Sequence, residues 1–333
     1  MARGAPAWSA ADVDGERLQL INIAYRLLGS LAEAEDAVQE AYARWYARSR
    51  SERAAVVSPG AWLTTVTGRI CLDVLGSARA RRERYVGAWL PEPLPDRREW
   101  AGGRSTGVID PADQITLDES VTMAFLVVLE SMTPAERVAF VLHDVFRYSF
   151  PEIARIVGRT PGACRELASS ARRRVRAERA PAGAAAGAAA GAAAGAAAGS
   201  PAGQAEVVRQ VKEAWEAKDI TALVGLLDPG AVMTADGGGL VGTVLRPVEG
   251  GTRIAQYMIA IADKAPGLRL LECSVAGAPG LVAQHAGVTA TVAAFDASGG
   301  RATRIWVVRN PEKLRLWTPG EPSAGPSFTS AGP

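Results

Sequence analysis

The chain has 333 residues, 48% of them apolar and 22% charged, with a net charge of +2 at neutral pH and three scattered cysteines. That length points to two or three domains with ample material for cores. The odd cysteine count (Cys71, Cys164, Cys273), without metal-ligand spacing, excludes a disulfide or zinc framework. No charge-free apolar run is long enough to cross a bilayer, and the opening residues carry no apolar leader core, so a cytoplasmic protein with no membrane contact is expected.

Charge is unevenly placed. Every permanently charged base before Lys212 is arginine, with clusters at Arg79–Arg84 and Arg172–Arg179, whereas Glu33, Glu35, Asp36 and Glu40 share one base-free stretch. A near-neutral total therefore hides basic patches suited to phosphate and an acidic patch suited to a basic partner.

In chain order, the first half reads as helix. Ser30 with Glu33, Thr133 with Glu136 and Ser149 with Glu152 form S/T-x-x-E capping boxes, and prolines after Ser58, Thr133 and Thr160 sit just inside helix starts. Helices are expected over 18–28, 31–48, 61–78, 115–131, 134–146, 151–157 and 161–179. Between the third and fourth lies "WLPEPLP", Trp89–Pro95, whose alternate prolines forbid helix and pre-set an extended strap. A polar, Gly- and Pro-rich loop follows it. Residues 180–203 repeat alanine and glycine without charge and read as a tether. Beyond it, 204–227 and 251–265 have helical periodicity, and the later runs "LRLLECSVAG", "LVAQHA", "VTATVAAFDA", "ATRIWVVRN" and "KLRLW" read as strands. Two all-α modules followed by an α+β domain are the expected architecture.

The segment from Thr133 to Arg179 has helix-turn-helix grammar. Leu167, Ala171 and Val175 face inward on the last helix. Thr160, Arg165, Glu166, Ser169, Arg172 and Arg173 are placed to meet duplex DNA, base edges first and phosphate after. A plain helical hairpin with a solvated basic tail satisfies the same grammar.

This segment resembles the fourth conserved region of bacterial sigma factors. "INIAYRLLGSLAEAEDAVQEAYARWYARS" resembles the second conserved region, and "WLTTVTGRICLDVLGSARARRERYVG" its promoter-melting continuation. With no third region between them, the chain resembles an extracytoplasmic-function sigma factor. The strap, with "DGGGL" (Asp236–Leu240) and "NPEKL" (Asn310–Leu314), resembles the subgroup that carries a C-terminal SnoaL-like cone domain. Leu240 stands where that subgroup has a basic residue.

The resemblance implies this layout: region 2 over 1–88, a linker with the strap over 89–112, region 4 over 113–179, the tether over 180–203, the SnoaL-like domain over 204–318 and a disordered tail over 319–333. It implies core RNA polymerase as partner, through its clamp coiled coil and flap, and promoter DNA. Asp36, Gln39, Glu40 and Trp45 would meet the polymerase. Trp62, Arg69, Asp73, Arg79, Arg81 and Arg82 would read and melt the minus-ten element, and the helix-turn-helix residues above would read the minus-thirty-five element. Trp89, Leu90, Pro91 and Leu94 would be gripped by Asp236, Gly237, Gly238, Gly239, Asn310 and Lys313, so that the tethered domain modulates activity in cis. No cofactor, metal or catalytic residue is expected. The competing reading is a metabolite-converting enzyme or ligand sensor fused to a helix-turn-helix regulator. Asp236, His285, Asp296 and Trp306 are its candidate pocket residues, though nothing in the sequence brings them together.

Overall fold

The computed structural model describes residues 16–82, 85–95, 122–179 and 201–317. The polar loop, the helix start expected at Ile115, most of the tether and the tail lie outside the described residues.

The first helical module is built on α1 (Arg17–Leu28), whose Leu20, Ile21, Ile23, Tyr25, Leu27 and Leu28 are all fully buried. Around it stand α2 (Leu31–Tyr46), the short α3 (Arg50–Ala54) and α4 (Pro59–Arg82). Ser30 caps α2 by accepting from Glu33 N–H. The α1–α2 corner turns at Gly29, with φ +71°, and its N–H closes α1 on the Tyr25 carbonyl. A Cβ there would also lie 2.9 Å from Trp89 Cη2, so the corner needs glycine for its backbone angle and for the close approach of the strap.

The second module holds α5 (Met123–Glu130), α6 (Pro134–Phe140), α7 (Phe150–Val157) and α8 (Pro161–Arg179). Thr133 and Glu136 cap α6 reciprocally, and Ser149 N–H donates to Glu152 at 2.8 Å at the start of α7. The helix expected to continue to Phe146 switches to a π-helical turn over Val141–Val145. Cys164, Ala168 and Ala171 are the buried stripe of α8, with Leu167 and Val175 at its edge.

The two modules share a single core. Ile156 of α7 sits on Gly68 of α4, where a Cβ would lie 2.8 Å from its Cγ2. Thr64 and Tyr148 hydroxyls are 3.1 Å apart. Arg137, buried, donates to the Leu27 carbonyl at 2.8 Å and to Glu130 at 2.7 Å. Apolar faces on both sides seal the two modules together.

In the C-terminal domain, α9 (Pro201–Glu216), α10 (Ile220–Leu226) and α11 (Gly251–Lys264) cover one face of a six-stranded sheet ordered β2-β1-β6-β5-β4-β3. The strands are β1 (Leu227–Asp236), β2 (Val248–Glu249), β3 (Arg269–Val275), β4 (Ala278–His285), β5 (Val288–Ser298) and β6 (Arg301–Val308). The last four form the expected antiparallel meander, and β1 joins β6 in parallel. Strands β1 and β2 were not among the expected runs, and two further details depart from expectation. Helix α9 begins at Pro201, inside the stretch read as tether. "KLRLW" forms no strand but two 3-10 turns, Pro311–Lys313 and Arg315–Trp317: Asn310 caps the first by accepting from Glu312 N–H, and Trp317 is fully buried.

Gly29→Ala should destabilise the N-terminal half by more than about 1 kcal/mol, because a side chain at positive φ adds to the clash with Trp89. A lowered urea midpoint measures this, whereas an unchanged midpoint would mean that the strap is not seated on the corner.

Candidate nucleic-acid interface and its strap clamp

Helix α2 presents Asp36, Gln39 and Glu40 to solvent, with Glu40 paired to Arg44 at 2.5 Å. Trp45, read as part of the same face, turns the other way. It is 3% exposed, and its ring lies 5.2 Å from that of Trp62. Its seven-residue spacing from Val38 puts it on the core stripe with Ala34 and Ala41.

On α4, Trp62 is half-buried against Trp45, with the Arg48 guanidinium 5.6 Å from its ring centre. Arg69 and Asp73 are exposed on one helix face. Arg69 Nη2 donates to the Arg155 carbonyl on α7 at 2.7 Å, so the second module engages a residue read as a minus-ten contact. Arg79, Arg81 and Arg82 continue α4, and their side chains lie outside the described ones.

On the helix-turn-helix, Gly158 closes α7 at φ +69° and Thr160 caps α8, accepting from Ala163 N–H at 3.2 Å. Arg165, Glu166 and Arg173 are exposed, and Ser169 is half-buried. Arg165 also lies over the Phe150 ring. Arg172 is held to Asp144 at 2.7 Å, which braces α8 against the π turn.

The strap is enclosed from both sides. Toward region 2, Glu92 N–H donates to the Gly29 carbonyl at 2.8 Å, and Tyr25 Oη donates to the Glu92 carbonyl at 2.7 Å. The Glu92 carboxylate accepts from Leu31 N–H at 2.8 Å, at the positive end of α2. Toward the C-terminal domain, Asp236 is the hub, with no solvent exposure. Its carboxylate accepts from Leu90 N–H at 2.9 Å, Tyr85 Oη at 2.6 Å, Gly238 N–H at 3.0 Å and Lys313 Nζ at 2.7 Å. Burial, reinforced by the Asp236 carboxylate, pushes the Tyr85 phenol well above its ordinary value. Lys313 also donates to the Leu90 carbonyl, and its ammonium stands 4.0 Å from the Trp89 ring centre. Asn310 Nδ2 donates to Tyr85 Oη at 2.9 Å, and a Cβ on Gly238 (φ +67°) would strike the Asn310 side chain at 2.6 Å. Farther along, Trp317 Nε1 donates to the Pro93 carbonyl at 2.7 Å, Ala276 N–H to the Leu94 carbonyl at 2.8 Å, and Pro95 bridges Val275.

The clamp thus joins Leu90, Asp236, Gly238, Asn310 and Lys313, and Leu94 is buried in the core of the helical modules. Leu240 is 63% exposed, and the cation of the clamp is Lys313. Tyr85, Glu92, Ala276 and Trp317 were not read as site residues. Their bonds run to residues distant in sequence, which no local spacing displays. Of the four candidate pocket residues, only His285 lines the domain's cavity.

A helical module with an exposed acidic face, joined to a helix-turn-helix, defines a promoter-recognition protein of the sigma type. Residues 13–82 match the family description of sigma-70 region 2, and residues 122–175 that of sigma-70 region 4. The chain is 34% identical over 317 residues to the ECF RNA polymerase sigma factor SigJ of Mycobacterium tuberculosis, covering 91% of this chain and 92% of that protein. It is 33% identical over 310 residues to the probable ECF RNA polymerase sigma factor SigI of that species, covering 92% and 93%. The crystal structure of the M. tuberculosis SigJ superposes with a TM-score of 0.67 at 31% identity, over 92% of this chain and 98% of that one. The chain belongs to the extracytoplasmic-function RNA polymerase sigma factors, and it is a transcription regulator by family.

Two expectations follow from the clamp. Burial raises the Glu92 carboxyl above its ordinary range, outweighing the Leu31 N–H bond and the nearby Lys313 and Arg315. The folded chain then holds a proton that the unfolded chain has released, so Glu92 contributes stability that is lost as pH rises through its raised value. The difference in urea stability, wild type minus Glu92→Gln, should fall as pH rises above the ordinary carboxylate range, and a flat difference rejects a raised Glu92. Asp236→Asn leaves Lys313 buried against a neutral partner and should cost about 3–5 kcal/mol, with faster hydrogen exchange at Leu90 N–H.

Proposed function

We propose that this chain is a promoter-specificity subunit in a closed state, whose C-terminal domain holds its two promoter-reading modules together in cis. The observation that carries this reading is Asp236, fully buried, binding both the backbone of the strap and Lys313. Supporting it, the strap's other side is bonded to the α1–α2 corner, and Arg69 is spent on α7. A promoter element cannot reach the Gly68 face of α4 while Ile156 occupies it. Release of the strap would free the modules to separate on the polymerase.

In the open form, Asp36, Gln39 and Glu40 dock on a basic polymerase surface such as the clamp coiled coil, a contact steered by charge and weakened by salt. Trp62, Arg69 and Asp73, with the arginines at the end of α4, stack on and pair with the melted minus-ten strand. Region 4, resting on the flap, places Thr160, Arg165, Glu166, Ser169 and Arg173 at the minus-thirty-five major groove. The protein works where polymerase and chromosome are, in the cytoplasm, and no described helix is long and apolar enough to cross a membrane. The C-terminal domain acts as a clamp rather than a catalyst: Asp236, the acid that could partner His285, is consumed by the strap.

Core polymerase, a candidate promoter and permanganate footprinting test this. The chain ended before Pro201, and the full chain carrying Asn310→Ala with Lys313→Ala, should each raise open-complex yield severalfold over wild type. If all three forms melt the promoter equally, cis control fails. If none melts it although each joins the polymerase, the promoter-reading assignment fails.

A further inference from the structure

The C-terminal domain encloses a cavity of about 530 Å³ between the sheet and α11, in the range that small-molecule sites occupy. Its wall is mostly apolar, with Tyr257, Phe295 and Ile305 among the lining side chains. The charged groups there are all of one sign. Arg309 and Lys264 line the cavity with His285, and no Asp or Glu is among the lining residues. An apolar chamber carrying uncompensated cations favours a ligand with a hydrophobic body and one negative head.

Arg309 also belongs to the clamp. Its backbone N–H donates to the Asp236 carbonyl at 2.7 Å, one residue before Asn310, whose side chain reaches Tyr85. Its guanidinium donates to the Gly242 carbonyl, just beyond the glycine turn that follows Asp236. Thr243, next along that loop, lines the cavity as well, and a Cβ on Gly237 would lie 2.7 Å from its methyl carbon. Met233 and Ala235, on the strand that ends in Asp236, complete the cavity's contact with the clamp.

We propose that this cavity binds an apolar monocarboxylate, such as an aryl or medium-chain acid, whose head pairs with Arg309. Pairing draws the guanidinium from the Gly242 carbonyl and loosens the glycine loop that shapes the Asp236 clamp. A metabolite of this class thereby weakens the grip on the strap. The loosening step rests on the regulatory reading above, whereas the binding step does not.

The probes are 2-naphthoate and its neutral counterpart 2-naphthylmethanol, titrated by calorimetry into the full chain. Arg309→Gln keeps an amide donor for the Gly242 carbonyl and removes the charge. It should weaken naphthoate by about tenfold or more and leave the alcohol unchanged. Arg309→Lys should recover part of the loss. Ala293→Leu, which fills the cavity from β5, should weaken both probes. Naphthoate should also speed hydrogen exchange at the Leu90 and Ala276 amides, which bond Asp236 and the Leu94 carbonyl. The site is overturned if neither probe binds at about millimolar concentration, if Arg309→Gln leaves naphthoate binding intact, or if Ala293→Leu does. Binding with no change in exchange overturns the coupling and retains the site. None of these measurements uses polymerase, so their failure is distinct from failure of the promoter-reading assignment.

Discussion

The seating of the C-terminal domain on the strap depends on one buried charge pair. Asp236 and Lys313 come from segments far apart in sequence, and neither can be desolvated alone without a penalty of several kcal/mol. Part of their remaining hydrogen-bonding capacity is met by the backbone of the strap, Leu90 N–H for the carboxylate and the Leu90 carbonyl for the ammonium, while Tyr85 Oη and Gly238 N–H also bind the carboxylate. The strap therefore completes a polar site that the C-terminal domain cannot satisfy by itself. Apolar contact alone would hold the domains together non-directionally, whereas this pairing fixes which residue of the strap sits where.

The prolines make that grip inexpensive in entropy. A strap pre-set in extended geometry loses little freedom on binding, and it exposes the N–H and carbonyl groups that a helix would have used internally. The spacing also sorts its faces. Glu92 turns to the α1–α2 corner, while Trp89, Leu90 and Leu94 meet Lys313, the sheet and the shared core. A domain that holds this segment holds the orientation of everything attached to it. The apolar seal between Gly68 and Ile156 shows how close the two helical modules come in that orientation.

Much of the helical half was legible in advance because its signals are local. Capping boxes at Thr133 and Ser149, proline at helix starts and glycine at helix ends act within a turn of the residue that carries them. The DGGG and NPEK segments also pointed to one clamp. Less legible was anything decided by competition between neighbours. Trp45 looked like a docking aromatic beside Asp36 and Glu40, but its place on the Ala34–Ala41 stripe turned it inward. Strand β1 was not among the runs read as strand, because its partner β6 lies some seventy residues away and supplies the hydrogen bonds. "KLRLW" has the composition of a strand, but Pro311 and the Asn310 cap curl it into 3-10 turns.

By itself, the sequence determined the order of parts: an acidic helical module, an extended strap, a helix-turn-helix with an arginine-rich face, an alanine–glycine tether and an α+β domain. Each follows from periodicity, capping or backbone restriction within a short window. Only the tertiary structure decided that Arg69 is tied to α7, that Glu92 plugs the start of α2, and that Lys313 rather than residue 240 supplies the cation of the clamp. These are pairings between distant groups. Their energies depend on burial and on the exclusion of water, which no local stretch of chain specifies.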